Sequence, residues 1–376
     1  MENVLVVGAN TRSVACSLKK LGYNVYSADY FCTKDLIPCT DSLKCVLSQL
    51  PYASCGQFSL NFNEDYLAEL AILLVDIADF IICCSGSSPQ NFPLYKIKGN
   101  KDTEIIENKY KLYKKLKNRF NIPETHLISG KDEVKEILED FKDKSFILKP
   151  IRGTAGMGIR NVEEIGSNFE FQDYMLQEKI IGENLSSSTL STGKEAKTIL
   201  TSKQIIGKSM LGQMEPYGYC GNIVPYCGDQ NVATIAEEVV QSLSLVGSNG
   251  VDFILKDNEV YLLEVNPRFQ GTIECAEAVL GINMAEAHIK ACNGTLVEIK
   301  SPQRFAVKMI VHARERSMVG KLEGEDVYDI PYENVIIEKG EPVATVVKTG
   351  TVLEDVIYST QIKVALIYNK LIHLPQ

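Results

Sequence analysis

"YLLEVNPRFQG", Tyr261 to Gly271, opens as a buried strand and breaks into a carboxylate, an amide, a proline and a guanidinium. Side chains alternate faces along a strand, so Glu264 and Asn266 share one face while Val265 points into the opposite layer. Two oxygen donors are thereby aimed at one spot. The longer stretch "GVDFILKDNEVYLLEVNPR" reads as two strands about a turn at Lys256 to Asn258, which sets Asp252 beside Glu264. Asp252, Glu264 and Asn266 then make a three-oxygen set suited to magnesium (or manganese), held by a few carboxylate or amide oxygens together with phosphates. Arg268 follows one strand step further, placed to neutralise charge on a transferring phosphoryl group. A solvated hairpin with salt bridges would not bury "YLLEV" around its acids.

Upstream, "ILKPIRGTAGMGI" runs from a strand through Lys149 into Gly153, Gly156 and Gly158. Glycines let backbone N–H groups approach phosphate oxygens closely, and a lysine adds a point charge. No G-K-[ST] closes the loop and the glycines lie between two strands, so this is not the Walker arrangement; alone, it reads equally well as a flexible hairpin. In "QEKIIG", Gln177 and Glu178 precede Ile180 and Gly182. A carboxylate beside exposed backbone suits an adenine amino group, although an ordinary strand with a charged edge has the same pattern.

Composition narrows the classes. The 376 residues, 45% of them apolar, predict two to four domains with sizeable cores. A net charge of −9 argues against a nucleic-acid partner. The eleven cysteines are scattered, odd in number and without a C-x-x-C pair, which predicts reduced thiols and a cytoplasmic setting. "MENVLVVGAN" has no signal-peptide pattern, and the apolar run "LAELAILLVDIADFIICC" carries Glu69, Asp76 and Asp79, so no membrane span is expected. The four histidines show no metal spacing, and Cys83-Cys84 reads as core rather than nucleophile.

Residues 1–100 alternate strand and helix signals, "NVLVVGAN", "RSVACSLKKLG", "NVYSAD", "EDYLAELAILLVDIA" and "DFIICCSG", which predicts a small parallel α/β unit. Ligands bind such units at the carboxyl ends of strands, here near Asn10, Asp29 and Ser85. "GANTRS" lacks the second and third glycines of a dinucleotide fingerprint, which speaks against a dehydrogenase. "DTEIIENKYKLYKKLKNRF" predicts an amphipathic helix with Ile105, Tyr110 or Leu112, Tyr113 and Leu116 inward, followed by a second helix at "KDEVKEILEDF". Beyond residue 300 the pattern reads mainly as strand, including "RFAVKMIVHA", "EPVATVVKTG" and "QIKVALIYN".

Lys109, Lys149 with its glycine turn, "QEKIIG", Asp252 and "EVNPR", in this order and at these spacings, resemble the ATP-grasp superfamily. The resemblance is nearest to the predicted carboligase branch related to biotin carboxylase. It implies an α/β and α+β chain, with a Rossmann-like pre-ATP-grasp domain over 1–100, a two-part ATP-grasp core over 101–178 and 179–300, and a C-terminal β-rich segment over 301–376. It also implies roles. Lys109 and Lys149 would contact ATP phosphates, with Gly153, Gly156 and Gly158 closing over them. Gln177, Glu178 and the backbone of Lys179, Ile180 and Ile181 would hold adenine. Many relatives carry a ribose-contacting acid six residues after the hinge glutamate; here that place is Asn184, with Glu183 one position earlier. Asp252, Glu264 and Asn266 would hold magnesium, while Arg268 and Lys149 serve the chemical step.

The implied activity is an ATP- and magnesium-dependent ligase that activates a small carboxylate as an acyl phosphate for attack by an amine, in a possible homodimer. "RFQGTIE" lacks the histidine that biotin carboxylases use with bicarbonate, which lowers the carboxylase alternative. A nucleotide-binding regulator without turnover would have no need of the full phosphoryl-transfer set. Ser85, Gly86, Arg304 and Arg314 are further candidates for substrate contact.

Overall fold

The computed structural model describes residues 1–166, 169–228 and 231–375. Strands β1 (Asn3–Gly8), β2 (Asn24–Asp29), β3 (Ser42–Cys45) and β4 (Phe80–Cys83) form a parallel sheet in the order β3-β2-β1-β4. β1 is a nearly unbroken apolar run because both of its faces are covered. Val4 and Val6 pack with helix α1 (Arg12–Lys20), and Leu5 and Val7 with the helix Glu64–Val75. The turns after β1 and β4 are joined where Ala9 N donates to Ser85 O at 2.7 Å.

Past residue 101 the expected single helix is two, Glu104–Glu107 and Lys109–Leu116. Asn108 breaks the run because its side chain leaves the helical pattern to accept from Lys111 N at 2.9 Å, an N-cap. The break rotates the first piece, so Ile106 rather than Ile105 joins Leu112, Tyr113 and Leu116 inside. β5 (Thr125–Leu127), β6 (Phe146–Pro150), β7 (Arg160–Asn161) and β8 (Tyr174–Glu178) then make an antiparallel sheet, order β5-β8-β6-β7. The helix Lys131–Asp140 covers it through Val134, Ile137 and Leu138.

The largest layer is an eight-stranded antiparallel sheet. It contains β9 (Glu183–Thr192), β10 (Ala196–Ile206), β11 (Tyr219–Val224), β12 (Val246–Lys256), β13 (Glu259–Asn266) and β14 (Phe305–His312), followed by β16 (Val327–Tyr328) and β18 (Pro342–Gly350). The order is β13-β12-β9-β10-β11-β14-β18-β16. β15 (Ser317–Val319), β17 (Ile336–Ile337) and β19 (Leu371–His373) form a small satellite sheet. The helix Asn231–Ser242 packs Val232, Ala236, Val239 and Val240 against Leu185, Val251 and Phe253.

Beyond residue 300, β14 pairs with β11 and carries β18 and β16 as a continuation of the large sheet. Two expectations need correction. "QIKVALIYN" is not a strand but lies in the helix Leu353–Tyr368, where Val356, Thr360, Val364 and Ile367 are buried at helical spacing. Its β-branched residues mimic strand composition, and tertiary packing overrides that propensity. The cysteines are not all reduced: Cys16–Cys39 and Cys32–Cys45 are disulfide-bonded, which withdraws the support thiols lent to a cytoplasmic setting. Scatter along the chain concealed spatial proximity, with Cα atoms 4.8 and 5.6 Å apart inside the bridging range. Among the described residues, no helix is long and apolar enough to cross a membrane.

Candidate functional site

The three larger sheets enclose one cavity of about 620 Å³. Its first end is built on the β12–β13 hairpin. Asp252 stands opposite Glu264 and Gly250 opposite Asn266, so the register brings all three oxygen-bearing side chains to one face, while Val265 is buried behind them. Asn266 Nδ2 donates to Asp252 Oδ2 at 3.2 Å, and Gln204 Nε2 to Asp252 Oδ1 at 3.2 Å. Arg268 NH2 is held by Asn266 Oδ1 at 3.1 Å and by Thr154 Oγ1 of the glycine turn at 3.4 Å.

Two ammonium groups meet these acids. Lys109 Nζ lies 3.3 Å from Glu264 Oε2 and donates to Gly153 O at 2.8 Å, tying the helix, the glycine turn and the hairpin together. Lys149, buried on β6, donates to Gln177 Oε1 at 3.4 Å, and Gln177 is itself fixed by donating to Thr125 Oγ1 at 3.0 Å. Burial pushes the Asp252 carboxyl up to about 7, with the neighbouring Glu264 charge adding to the rise. Burial also acts on Glu264, but the ammonium groups of Lys109 and Lys149 outweigh it and hold that carboxyl down. Burial draws Lys149 down to about 8 although Glu264 pulls the other way. A buried lysine lowered this far gains from an anion beside it, and a carboxylate raised this far gains from a cation.

The glycine turn is fixed from outside by Tyr219 N, which donates to Ala155 O at 3.0 Å. Gly156 (φ +75°) sits where a Cβ would meet Tyr217 O at 1.9 Å, so only glycine fits. The second end of the cavity is apolar between Ile147, Ile159, Ile254 and Leu263, with Gln177 to Gly182 along its edge. Gly182 allows this edge to touch the large sheet, since a Cβ there would meet Leu255 O at 2.3 Å.

Of the residues singled out from sequence, Lys109, Lys149, Gly153, Gly156, Gln177, Glu178, Lys179, Ile180, Ile181, Asp252, Glu264, Asn266 and Arg268 all line this cavity. Gly158 lies in the same turn, packed on Pro150. Glu178 already accepts from Lys144 Nζ at 3.0 Å and Glu124 N at 3.1 Å. Glu183 is not brought in: it pairs with Lys203 and accepts from Tyr226 OH at 2.8 Å, while Asn184 lines the cavity instead. Alternation along β9 explains this, because adjacent strand residues face opposite sides. Ser85 lines the cavity, whereas Gly86 packs on Phe62, Arg304 is exposed, and Arg314 stacks on Tyr368 at 3.9 Å.

A third end was missed from sequence. Arg12, Lys308 and Asp329 close it, and Arg12 Nε lies 2.7 Å from Asp329 Oδ1. The strand-end rule pointed to Asn10, which lines this end, and to Asp29, which instead accepts from Thr11 N at 2.6 Å and stays buried. No local pattern marks Arg12 or Asp329, which are paired across 317 residues.

Residues 106–272 match the family described as ATP-grasp domain. An uncharacterised protein of Methanocaldococcus jannaschii is 38% identical over 359 residues, 91% of this chain and 87% of its own length. The tyramine–L-glutamate ligase of the same organism is 28% identical over 202 residues, 52% of this chain; the chain spans only 54% of that ligase's length. Biotin carboxylase from Campylobacter jejuni superposes with a TM-score of 0.70 at 16% identity, over 99% of this chain and 91% of that one, which is a likeness of fold.

Proposed function

This chain belongs to the ATP-grasp superfamily, and on that premise we propose that it is an ADP-forming ligase using magnesium-ATP to join a carboxylate to an amine. One observation carries the reading: Asp252, Glu264, Asn266, Arg268, Lys109 and Lys149 line one cavity, with Asn266 joined to Asp252, Arg268 to Asn266 and Lys109 to Glu264 by contacts of 3.2, 3.1 and 3.3 Å. The relative named as a tyramine–L-glutamate ligase supports the reaction class.

The chemistry follows from the difficulty of the reaction. A carboxylate is unreactive toward an amine because its leaving group would be an oxide, so the γ-phosphoryl group of ATP first converts it to an acyl phosphate. That step brings two anions together. Lys109 and Lys149 place positive charge where the phosphates would lie, and Arg268, held by Asn266 and Thr154, offers its guanidinium to the transferring group. An amine then displaces phosphate, and no side-chain nucleophile is required.

The residues fit a divalent cation. Asp252 and Glu264 stand side by side and half-buried, with Asp252 pushed up to about 7, and a hard cation among two carboxylates and an amide oxygen would relieve their repulsion. Magnesium bound there would supply charge neutralisation to the nucleotide phosphates. The apolar second end suits the adenine ring, with the backbone from Lys179 to Ile181 at its edge.

ADP release from magnesium-ATP, measured across pairs of carboxylates and amines, tests the reading. Release that needs both an acid and an amine supports the ligase. Stimulation by bicarbonate alone would replace it with a carboxylase, and tight nucleotide binding with no turnover in any pairing would favour a regulator.

A further inference from the structure

The third end of the cavity has its own chemistry. Asn10 and Arg12 come from the first turn of the N-terminal sheet, Tyr219 and Gln270 from the large sheet and the turn beyond it, and Lys308 and Asp329 from the C-terminal segment. Its cations are already engaged. Arg12 Nε lies 2.7 Å from Asp329 Oδ1 and 3.2 Å from Asp35 Oδ2, and its NH2 pairs with Glu274. Lys308 Nζ lies 2.9 Å from Glu274 Oε2 and donates to Gly271 O at 2.8 Å. Three carboxylates thus face two cations, leaving a formal excess of one negative charge.

Asp329 is where that excess meets the cavity. Both of its side-chain hydrogen bonds fall on Oδ1, from Arg12 Nε at 2.7 Å and Asn10 Nδ2 at 2.8 Å; among the described residues no donor reaches Oδ2. Its side chain is only 16% exposed, and it lines the cavity. A carboxylate oxygen on the cavity wall without a protein donor is open to a donor from a ligand. The backbone holds it ready: Asp35 accepts from Asp329 N at 2.9 Å and Ile330 N at 2.8 Å, and Lys34 N donates to Ile330 O at 2.7 Å. Asp329 also sits at φ +54°, a conformation that side-chain-bearing residues rarely adopt.

We infer that Asp329 is a specificity-determining residue that anchors the ammonium group of the amine substrate at this third end. The inference rests on the ligase reading and extends it by assigning the amine to the compartment shared by the N-terminal sheet and the C-terminal segment. A carboxylate substrate would find Arg12 and Lys308 neutralised and Asp329 repulsive. Asp329 selects and positions; its carboxylate, stabilised by Arg12, is too weak a base to take the amine proton.

The test uses the full chain with magnesium-ADP bound. Butylamine, phenethylamine and putrescine, and the matched carboxylates butyrate, phenylacetate and succinate, are titrated calorimetrically into wild type, Asp329→Asn and Asn10→Lys. Asn10 is exposed beside Asp329, so the lysine places a competing cation there without disturbing the core, and it decides the matter if Asp329→Asn fails to fold. At least one amine should bind wild type and lose tenfold or more in both variants, with no matching loss for carboxylates. No amine binding to wild type, equal amine binding in all three proteins, or a loss confined to carboxylates would overturn the inference. Titrations of magnesium-ADP itself report on the ligase reading separately: intact nucleotide binding beside a failed amine arm removes only the anchor, and absent nucleotide binding in wild type removes both.

Discussion

Glu264, Asp252, Lys109 and Lys149 bring two acids and two bases together in the cavity, and different failures follow from removing different members. Glu264→Gln keeps the shape but deletes the charge that Lys109 meets at 3.3 Å. Turnover is expected to fall by about 10²–10³-fold or more, with the melting temperature close to wild type. Wild-type ADP release from this variant would contradict the metal assignment. Lys149→Ala should instead weaken nucleotide binding roughly 10- to 100-fold, because a hydrogen bond to a charged group is worth about 1.5–3 kcal/mol. Unchanged nucleotide affinity would contradict its place at the phosphates. These four positions differ in how they could be read. Glu264 and Asn266 follow from strand alternation and Asp252 from the hairpin, although its place opposite Glu264 depends on a register shift between Asp252 and Phe253 that the short turn does not announce. Lys109 was reached only through resemblance, since nothing in "NKYKLYKK" separates it from its solvated neighbours. Arg12 and Asp329, 317 residues apart, carry no local signal of their ion pair.

The glycine turn between β6 and β7 is the element whose geometry is most tightly specified. A Cβ on Gly156 would overlap Tyr217 O, and its φ of +75° disfavours any side chain. Gly156→Ala is expected to displace the turn from Tyr217 and weaken nucleotide binding several-fold, with little change in thermal stability because the turn adds little to any core. A variant binding nucleotide like wild type would show that the turn does not cover the phosphates. Element type was legible where periodicity was clean, as in β1, α1 and the β12–β13 hairpin. It was lost in "QIKVALIYN", where β-branched residues on a buried helix face imitate a strand, and at Asn108, where a cap interrupts an otherwise amphipathic run.

At the scale of the whole molecule, the cavity exists because segments far apart in sequence are held around it, and His288 is one of the joints. It is buried, accepts from Ser248 N on β12 through Nδ1 at 2.9 Å, donates from Nε2 to Lys98 O at 3.0 Å, and packs on Phe269 beside Arg268. Burial lowers its ring to about 4 from an ordinary 6.5, so the folded state keeps it neutral. The unfolded chain then binds the extra proton between those values, and stability present above pH 6.5 is lost as pH falls toward 4, by about 3 kcal/mol. His288→Gln should flatten the melting temperature between pH 7 and 4 relative to wild type; parallel curves would contradict a neutral joint. The fold class was legible as a resemblance of ordered motifs, whereas the shared large sheet and the two disulfides were not, because neither strand pairing between distant segments nor cysteines 23 and 13 residues apart leave a periodic trace. The most direct test of the central claim is ADP release from magnesium-ATP, with Glu264→Gln as the blank, over a matrix of carboxylates and amines. Release dependent on both partners and absent from the blank is the result expected; release indifferent to the amine, or equal in the blank, would contradict a carboxylate–amine ligase.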